Sequence, residues 1–143
     1  MIRPRVVIDT NVIVAAMRSQ RGASALLLSL LGQDLFEMHV SVPLVLEYED
    51  VLLRQRDDLG LTTEEVTALI DALCALSVRH EHIHFNWRPF LPDERDEHIL
   101  DLAVKSQCEA IITYNARDFI GVEQFGLRAI SPQTFLRELG VIP

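Results

Sequence analysis

Apolar residues along the chain follow two alternating patterns. Short runs rich in β-branched residues predict buried strands at 5–8, 35–41, 82–85, 109–115 and 126–130. Between them, apolar residues recur every three or four positions and predict helices at 11–17, 23–31, 41–56, 62–80, within 90–108 and at 131–139. Strands that alternate with helices are typical of a parallel sheet covered by helices. We therefore expect a single α/β domain over residues 1–143, a three-layer α/β/α sandwich with a central, mainly parallel sheet.

Several predicted helices begin at residues suited to capping. Ser41 precedes the third helix and Ser131 precedes the last. Thr62 and Glu65 have the spacing of a capping box, in which each side chain accepts a hydrogen bond from the other residue's backbone N–H. Asp93 is the expected cap of the fifth helix. These residues fix the predicted starting points of four helices.

Composition narrows the class of protein. Of the 143 residues, 49% are hydrophobic, which is enough to bury a core, and no apolar stretch is long enough to span a bilayer. Asp9 and Asn11 interrupt the apolar run near the N-terminus, so no signal peptide is expected there. Cys74 and Cys108 lack the spacing of a metal site. We expect a cytoplasmic protein with reduced thiols and no membrane association.

Acidic and amide side chains follow the ends of the predicted strands. Asp9 ends the first strand, Glu47 lies early in the helix after the second, and Asp96 lies in the first turn of the helix after the third. Asn115 and Asp118 follow the fourth strand. Because ligands bind beyond the carboxyl ends of parallel strands, we expect these five side chains at one edge of the sheet.

Taken singly, these acids have simpler explanations. Asp9 is a plausible helix cap, Glu47 a solvated helix residue, Asp96 a partner of the helix dipole and Asp118 a turn residue. Their convergence favours a different role, because carboxylates brought together repel one another unless a cation neutralises them. The net charge of −8 counts against binding nucleic acid by bulk electrostatics, but it is compatible with an enzyme that reaches phosphates through Mg²⁺ or Mn²⁺.

Four segments resemble the motifs of PIN-domain proteins in order and spacing. They are VVIDTNVIVAA, SVPLVLEYEDVL, DERDEHILDLAV and AIITYNARDF. The resemblance covers nearly the whole chain and is strongest to bacterial VapC-like PIN ribonucleases, the toxins of toxin–antitoxin pairs. It implies a single PIN domain and a metal-dependent endoribonuclease that hydrolyses phosphodiester bonds of single-stranded RNA. Its cofactor would be Mg²⁺ or Mn²⁺, which activates the attacking water.

The resemblance also implies roles for individual residues. Asp9, Glu47 and Asp96 would bind metal and take part in catalysis, and Asn11 and Thr113 would support them. It further implies a small antitoxin protein as a partner, which would insert an Arg or Lys among the carboxylates. A homodimer is compatible with the family.

The fourth acidic position departs from the commonest pattern of the family. Many relatives carry Asp where this chain has Asn115, and an amide is a weaker metal ligand than a carboxylate. Asp118 lies three residues further on, and we expect it to bind metal and act in catalysis in its place, directly or through water. Asn115 remains a predicted ligand of the same site.

Two other functions remain open. A PIN-like module that binds nucleic acid or protein with impaired catalysis is motivated by Asn115. A phosphatase with Asp9 as nucleophile is the second alternative, although such enzymes usually carry another acid two residues on, where this chain has Asn11.

Further charged residues compete for a role near the site. Asp101 is expected to form a solvated pair with Lys105, and Glu97 is an additional acid at the rim. Arg18 and Arg21 either meet RNA phosphates or are solvated loop charges. Three histidines alternate at His80, His82 and His84. They could bind zinc, but the favoured interpretation is that they are solvated or partly packed.

Overall fold

The computed structural model describes residues 2–81 and 89–143 and is built on a five-stranded sheet. The strands are β1 (Arg5–Ile8), β2 (Glu37–Ser41), β3 (Val78–His80), β4 (Ala110–Ile112) and β5 (Arg128–Ile130). Their order is β3-β2-β1-β4-β5, and every neighbouring pair is parallel. The carboxyl ends of the described strands therefore meet at one edge of the sheet.

In the described ranges 2–81 and 89–143, seven α-helices connect and cover the strands. They are α1 (Thr10–Arg18), α2 (Ala23–Ser29), α3 (Val42–Arg54), α4 (Arg56–Leu59), α5 (Thr63–Ala75), α6 (Glu97–Lys105) and α7 (Pro132–Glu138). Three 3₁₀ helices lie at Glu94–Asp96, Ala116–Phe119 and Val122–Phe125. All three residues of β4 are buried, so helices cover both faces of the sheet, which confirms the predicted α/β sandwich.

The predicted helix caps are confirmed. Ser41 Oγ accepts a hydrogen bond from the backbone N–H of Leu44 at 3.3 Å. Thr62 and Glu65 form the complete capping box, with distances of 3.1 and 3.0 Å. Ser131 caps α7. Local side-chain chemistry thus sets the start of these helices, as the sequence indicates.

The helix predicted over 62–80 is too long. The structure ends α5 at Ala75 and places β3 at Val78–His80, where it pairs with β2 along the sheet edge. Backbone pairing with β2 outweighs the helical spacing of the last apolar residues, because that spacing reflects only local preference. The strand predicted at 82–85 lies outside the described residues.

The alternating polar positions of β2 are also buried. His39 and Ser41 are nearly as inaccessible as the apolar residues beside them, since β2 is an interior strand covered on both faces.

Cys74 and Cys108 are free thiols. In residues 2–81 and 89–143, no helix has the length and apolar character needed to cross a membrane.

Replacement of Tyr48 by Phe is expected to lower the free energy of unfolding by about 1–2 kcal/mol, because the buried Ile8 carbonyl loses its donor. The Tyr48 side chain is fully buried, and its hydroxyl donates to the Ile8 carbonyl immediately before Asp9. Tyr114 supplies the comparison, because its side chain is 42% exposed and only its partner Ser24 is buried, so Tyr114→Phe should cost less, about 0.5–1 kcal/mol. Urea denaturation measures both, and equal losses would contradict the account.

Candidate metal centre

Asp9 occupies the junction between β1 and α1. Its Oδ1 accepts from the Thr10 backbone N–H at 2.9 Å, so it caps α1. Its Oδ2 accepts from Thr113 Oγ1 at 2.8 Å and from Asn11 Nδ2 at 3.2 Å. Burial raises the pKa of Asp9, with further contributions from the charges of Glu47 and Asp118, while the Thr113 and Thr10 hydrogen bonds oppose the rise.

Asn11 and Thr113 both donate hydrogen bonds to Asp9. Thr113 follows β4 and accepts the backbone N–H of Asn115 on Oγ1 at 2.9 Å while donating to Asp9. Asn11 Oδ1 accepts the Tyr114 backbone N–H at 3.3 Å. These bonds join the ends of β1 and β4, so the orientation of Asp9 is fixed from two adjacent strands.

Glu47 reaches the same edge of the sheet from α3. Thr10 Oγ1 donates to Glu47 Oε2, and His98 Nε2 lies 3.2 Å from Glu47 Oε1. Burial alone would raise the pKa of Glu47, but the His98 and Thr10 hydrogen bonds outweigh it and lower the pKa. In the sequence, only the position of His98 two residues after Asp96 hints at this contact.

Asp96 ends the 3₁₀ helix before α6 and is half-buried. Burial raises its pKa to about 6, and the charges of Asp9, Asp93, Asp118 and Glu47 add to the rise. The charges of the acids at the other strand-to-helix junctions therefore reach Asp96.

Asp118 lies three residues after Asn115, within the 3₁₀ helix Ala116–Phe119. The Asn115 side chain is exposed, and the backbone carbonyl of Asn115 accepts the backbone N–H of Asp118 at 2.9 Å. The charge of Asp118 raises the pKa of both Asp9 and Asp96. The structure thus brings Asp118 into the acid cluster, which we define as Asp9, Glu47, Asp96 and Asp118.

Other acids near α6 have structural partners. Asp93, the predicted cap of the fifth helix, caps the 3₁₀ helix that precedes α6 and pairs with Arg95 at 2.8 Å, while Asp96 takes the N-cap position of α6. Glu97 Oε1 accepts the backbone N–H groups of Phe90 and Leu91, the latter at 2.6 Å, so it anchors the preceding loop.

The solvated pair predicted for Asp101 and Lys105 is wrong. Asp101 is half-buried, and burial raises its pKa to about 6, with the Glu97 charge adding to the rise. Lys105 lowers the pKa of Asp101 through its charge, but the described side chains form neither a hydrogen bond nor an ion pair with each other.

The predicted basic residues and histidines do not join the cluster. Arg18 donates to Gln55 Oε1 at 3.2 Å and ends α1, about 12 Å along the helix from Thr10. Arg21 is exposed in the turn beyond. His80 Nε2 lies 2.9 Å from Nδ1 of buried His39, which accounts for it without zinc. His82 and His84 lie outside the described residues.

The donor chemistry of the acid cluster fits a hard divalent cation. All four members offer carboxylate oxygens, and the described neighbours that shift the pKa of Asp9 and Asp96 include no lysine or arginine. Within the described ranges, however, no three His, Cys, Asp or Glu side chains converge as a ready-made ligand group. The Glu47 carboxylate faces Thr10 and His98. The carboxylates are therefore close enough for their charges to interact, but they do not converge on one position for an ion.

The sequence model of the PIN domain matches residues 5–117. The chain belongs to the PIN-domain family. The match contains Asp9, Glu47, Asp96 and Asn115 and ends one residue before Asp118. PIN domains are generally nucleases that use divalent metal ions. No curated protein matches the chain significantly.

Solved structures support the same fold. A chain in the crystal structure of VapBC2 from Rickettsia felis, bound to a DNA fragment from their promoter, is similar with a TM-score of 0.58 and 14% sequence identity. The similarity covers 87% of this PIN domain and 98% of that chain. At this identity the likeness concerns the fold.

The metal-free Asp96→Asn variant is expected to gain stability over the wild-type protein as pH rises from about 4 to about 6. The raised pKa means that folded Asp96 holds its proton where the unfolded chain has lost it, so its contribution is present at low pH and disappears through pH 6. Asn carries no charge at any pH. Melting temperatures in EDTA measure the difference, and a difference independent of pH would contradict the assignment.

Proposed function

We propose that this PIN domain is a metal-dependent endoribonuclease that hydrolyses phosphodiester bonds of single-stranded RNA. The observation that carries the proposal is the raised pKa of Asp9 and of Asp96, two acids on separate junctions that are both partly desolvated and both feel the charges of Glu47 and Asp118. Such a cluster is unfavourable by itself and is expected where a cation neutralises it.

Asp9, Glu47, Asp96 and Asp118 would hold Mg²⁺ or Mn²⁺, with Asn115 at the exposed side. A bound divalent ion supplies positive charge at the scissile phosphate and lowers the pKa of water. Asp9 is pre-oriented for this task because Thr10, Asn11 and Thr113 all donate to it. Without the cation, the cluster would repel the phosphate backbone, so we expect strict metal dependence.

We further propose that the protein is the toxin of a toxin–antitoxin pair in the cytoplasm. The fold likeness to a chain of the VapBC2 complex supports the proposal. The partner would be a small antitoxin protein that places an Arg or Lys among the carboxylates, where charge-assisted hydrogen bonds are strong. Light scattering of the purified chain tests the homodimer compatible with this family.

Cleavage of labelled single-stranded RNA tests the nuclease proposal. We expect cutting with Mn²⁺ or Mg²⁺, loss of cutting in EDTA, and weak cutting of the same sequence in a duplex. RNA binding without cleavage in either ion would favour the binding module with impaired catalysis. A phosphoryl group trapped on Asp9 would favour the phosphatase, although both oxygens of buried Asp9 already accept hydrogen bonds.

A further inference from the structure

Glu47 joins the two segments that carry the most perturbed acids of the cluster. Its Oε2 accepts from Thr10, the residue after Asp9, and its Oε1 faces His98, two residues after Asp96. The carboxylate therefore bridges the start of α1 and the start of α6 from its position on α3. Loss of either donor would leave one Glu47 carboxylate oxygen without its hydrogen bond. The Glu47 side chain could then rotate more freely.

His98 is built into this arrangement more firmly than a surface histidine would be. Its side chain is 24% exposed, and its Nδ1 is buried without a hydrogen-bond partner among the described residues. The Glu47 carboxylate is thus the polar group that the imidazole engages there. A buried ring nitrogen without a hydrogen-bond partner is unfavourable. The contact that Nε2 makes with Glu47 is therefore the one that accounts for a histidine at this position.

We propose that His98 is a positioning residue of the acid cluster, whose Nε2–H keeps the Glu47 carboxylate beside the starts of α1 and α6, from where a small movement brings it to an ion. The inference rests on the proposed metal-dependent function. Residues that orient metal ligands through hydrogen bonds typically change metal affinity or activity by 10- to 100-fold when replaced. His98 would act through Glu47, without touching the ion or the RNA.

The alternative is that His98 only fills space between α6 and α3. Two replacements separate the alternatives. Gln places an amide N–H close to the position of imidazole Nε2 and so retains the donor, whereas Leu fills similar volume and removes it. Lys105→Gln, on the exposed side of the same helix, is the surface control. Thr10→Val removes the other donor to Glu47 independently.

Mn²⁺ affinity, measured by isothermal titration calorimetry without RNA, is the readout. We expect His98→Leu and Thr10→Val to bind Mn²⁺ about 10-fold more weakly or worse. His98→Gln should remain within about 3-fold of the wild type, and Lys105→Gln should be unchanged. Urea denaturation of the metal-free proteins checks that the Leu and Gln variants are both folded.

The outcomes separate this inference from the function on which it rests. Equal Mn²⁺ affinity in wild type and folded His98→Leu would overturn the positioning role while leaving the metal site intact. Equal losses in the Leu and Gln variants would assign His98 to packing. A wild-type protein that binds no Mn²⁺ would overturn the metal site itself, and the positioning role with it.

Discussion

Replacement of Asp9 by Asn is expected to lower metal-dependent RNA cleavage by at least about 100-fold. The ion supplies several kcal/mol of charge stabilisation in the transition state, and each 1.4 kcal/mol corresponds to a factor of ten. Asp9 is the most buried member of the acid cluster, and it is fixed by three donors on two adjacent strand ends. Initial rates on single-stranded RNA in Mn²⁺ measure the loss.

The same replacement should stabilise the metal-free protein. Asn caps a helix about as well as Asp, so α1 keeps its start. Burial of the Asp9 carboxylate raises its pKa, because the charged form loses contact with water. The Asn side chain carries no charge, so this desolvation cost is absent at neutral pH. Lower activity together with a higher melting temperature in EDTA would separate a catalytic role from a structural one. A variant that retains wild-type cleavage would contradict the assignment of Asp9.

Replacement of Asp96 by Asn should also lower cleavage by at least about 10-fold, whereas Asp101→Asn should leave the rate within about 2-fold of the wild type. The pair is a matched comparison, because burial raises the pKa of each carboxyl to about 6. Their neighbours differ. Asp96 feels Asp9, Asp118 and Glu47, while Asp101 feels Glu97, His98 and Lys105. Membership in the acid cluster, rather than a perturbed pKa alone, should decide the effect.

Rates for both variants are best measured at saturating and at limiting Mn²⁺. A loss for Asp96→Asn that excess Mn²⁺ partly restores would indicate weakened ion binding. A greater loss for Asp101→Asn than for Asp96→Asn would move the catalytic assignment away from the predicted residues.

Local features of this fold could be read from the sequence with good accuracy. The bounds of β1 and the caps at Ser41, Thr62 and Ser131 agree with the structure. Each depends on residues adjacent in the chain. The parallel order of the strands also followed, and with it the placement of Asp9 directly after β1, because parallel strands deliver their carboxyl ends to the same side.

Features that depend on contacts between distant segments could not be read in this way. The helical spacing over 62–80 gave no sign that Val78–His80 would pair with β2. The spacing around Asp101 suggested a solvated ion pair with Lys105, yet Asp101 is half-buried and the two side chains form no ion pair in the described part of the chain. His98 contacts Glu47, 51 positions away, so only the folded arrangement reveals the bond.

The acid cluster offers carboxylate oxygens suited to a cation, but in the described residues these side chains do not surround a single ion position. Thr113 and Asn11 hold Asp9, and Thr10 and His98 hold Glu47, while Asp96 is anchored only by its place at the start of α6. Ion binding would therefore require small movements of Glu47 and Asp96 and would relieve the repulsion that raises the pKa of Asp9 and Asp96.

Calorimetric titration of Mn²⁺ into the wild-type protein and into Asp9→Asn at neutral pH tests the central claim most directly. We predict saturable binding to the wild type that releases protons, because the raised pKa of Asp96 leaves part of its carboxyl protonated before the ion arrives. Asp9→Asn should bind at least about 10-fold more weakly. Absence of binding by the wild type, or equal binding by Asp9→Asn, would contradict the assignment of the acid cluster as a metal centre.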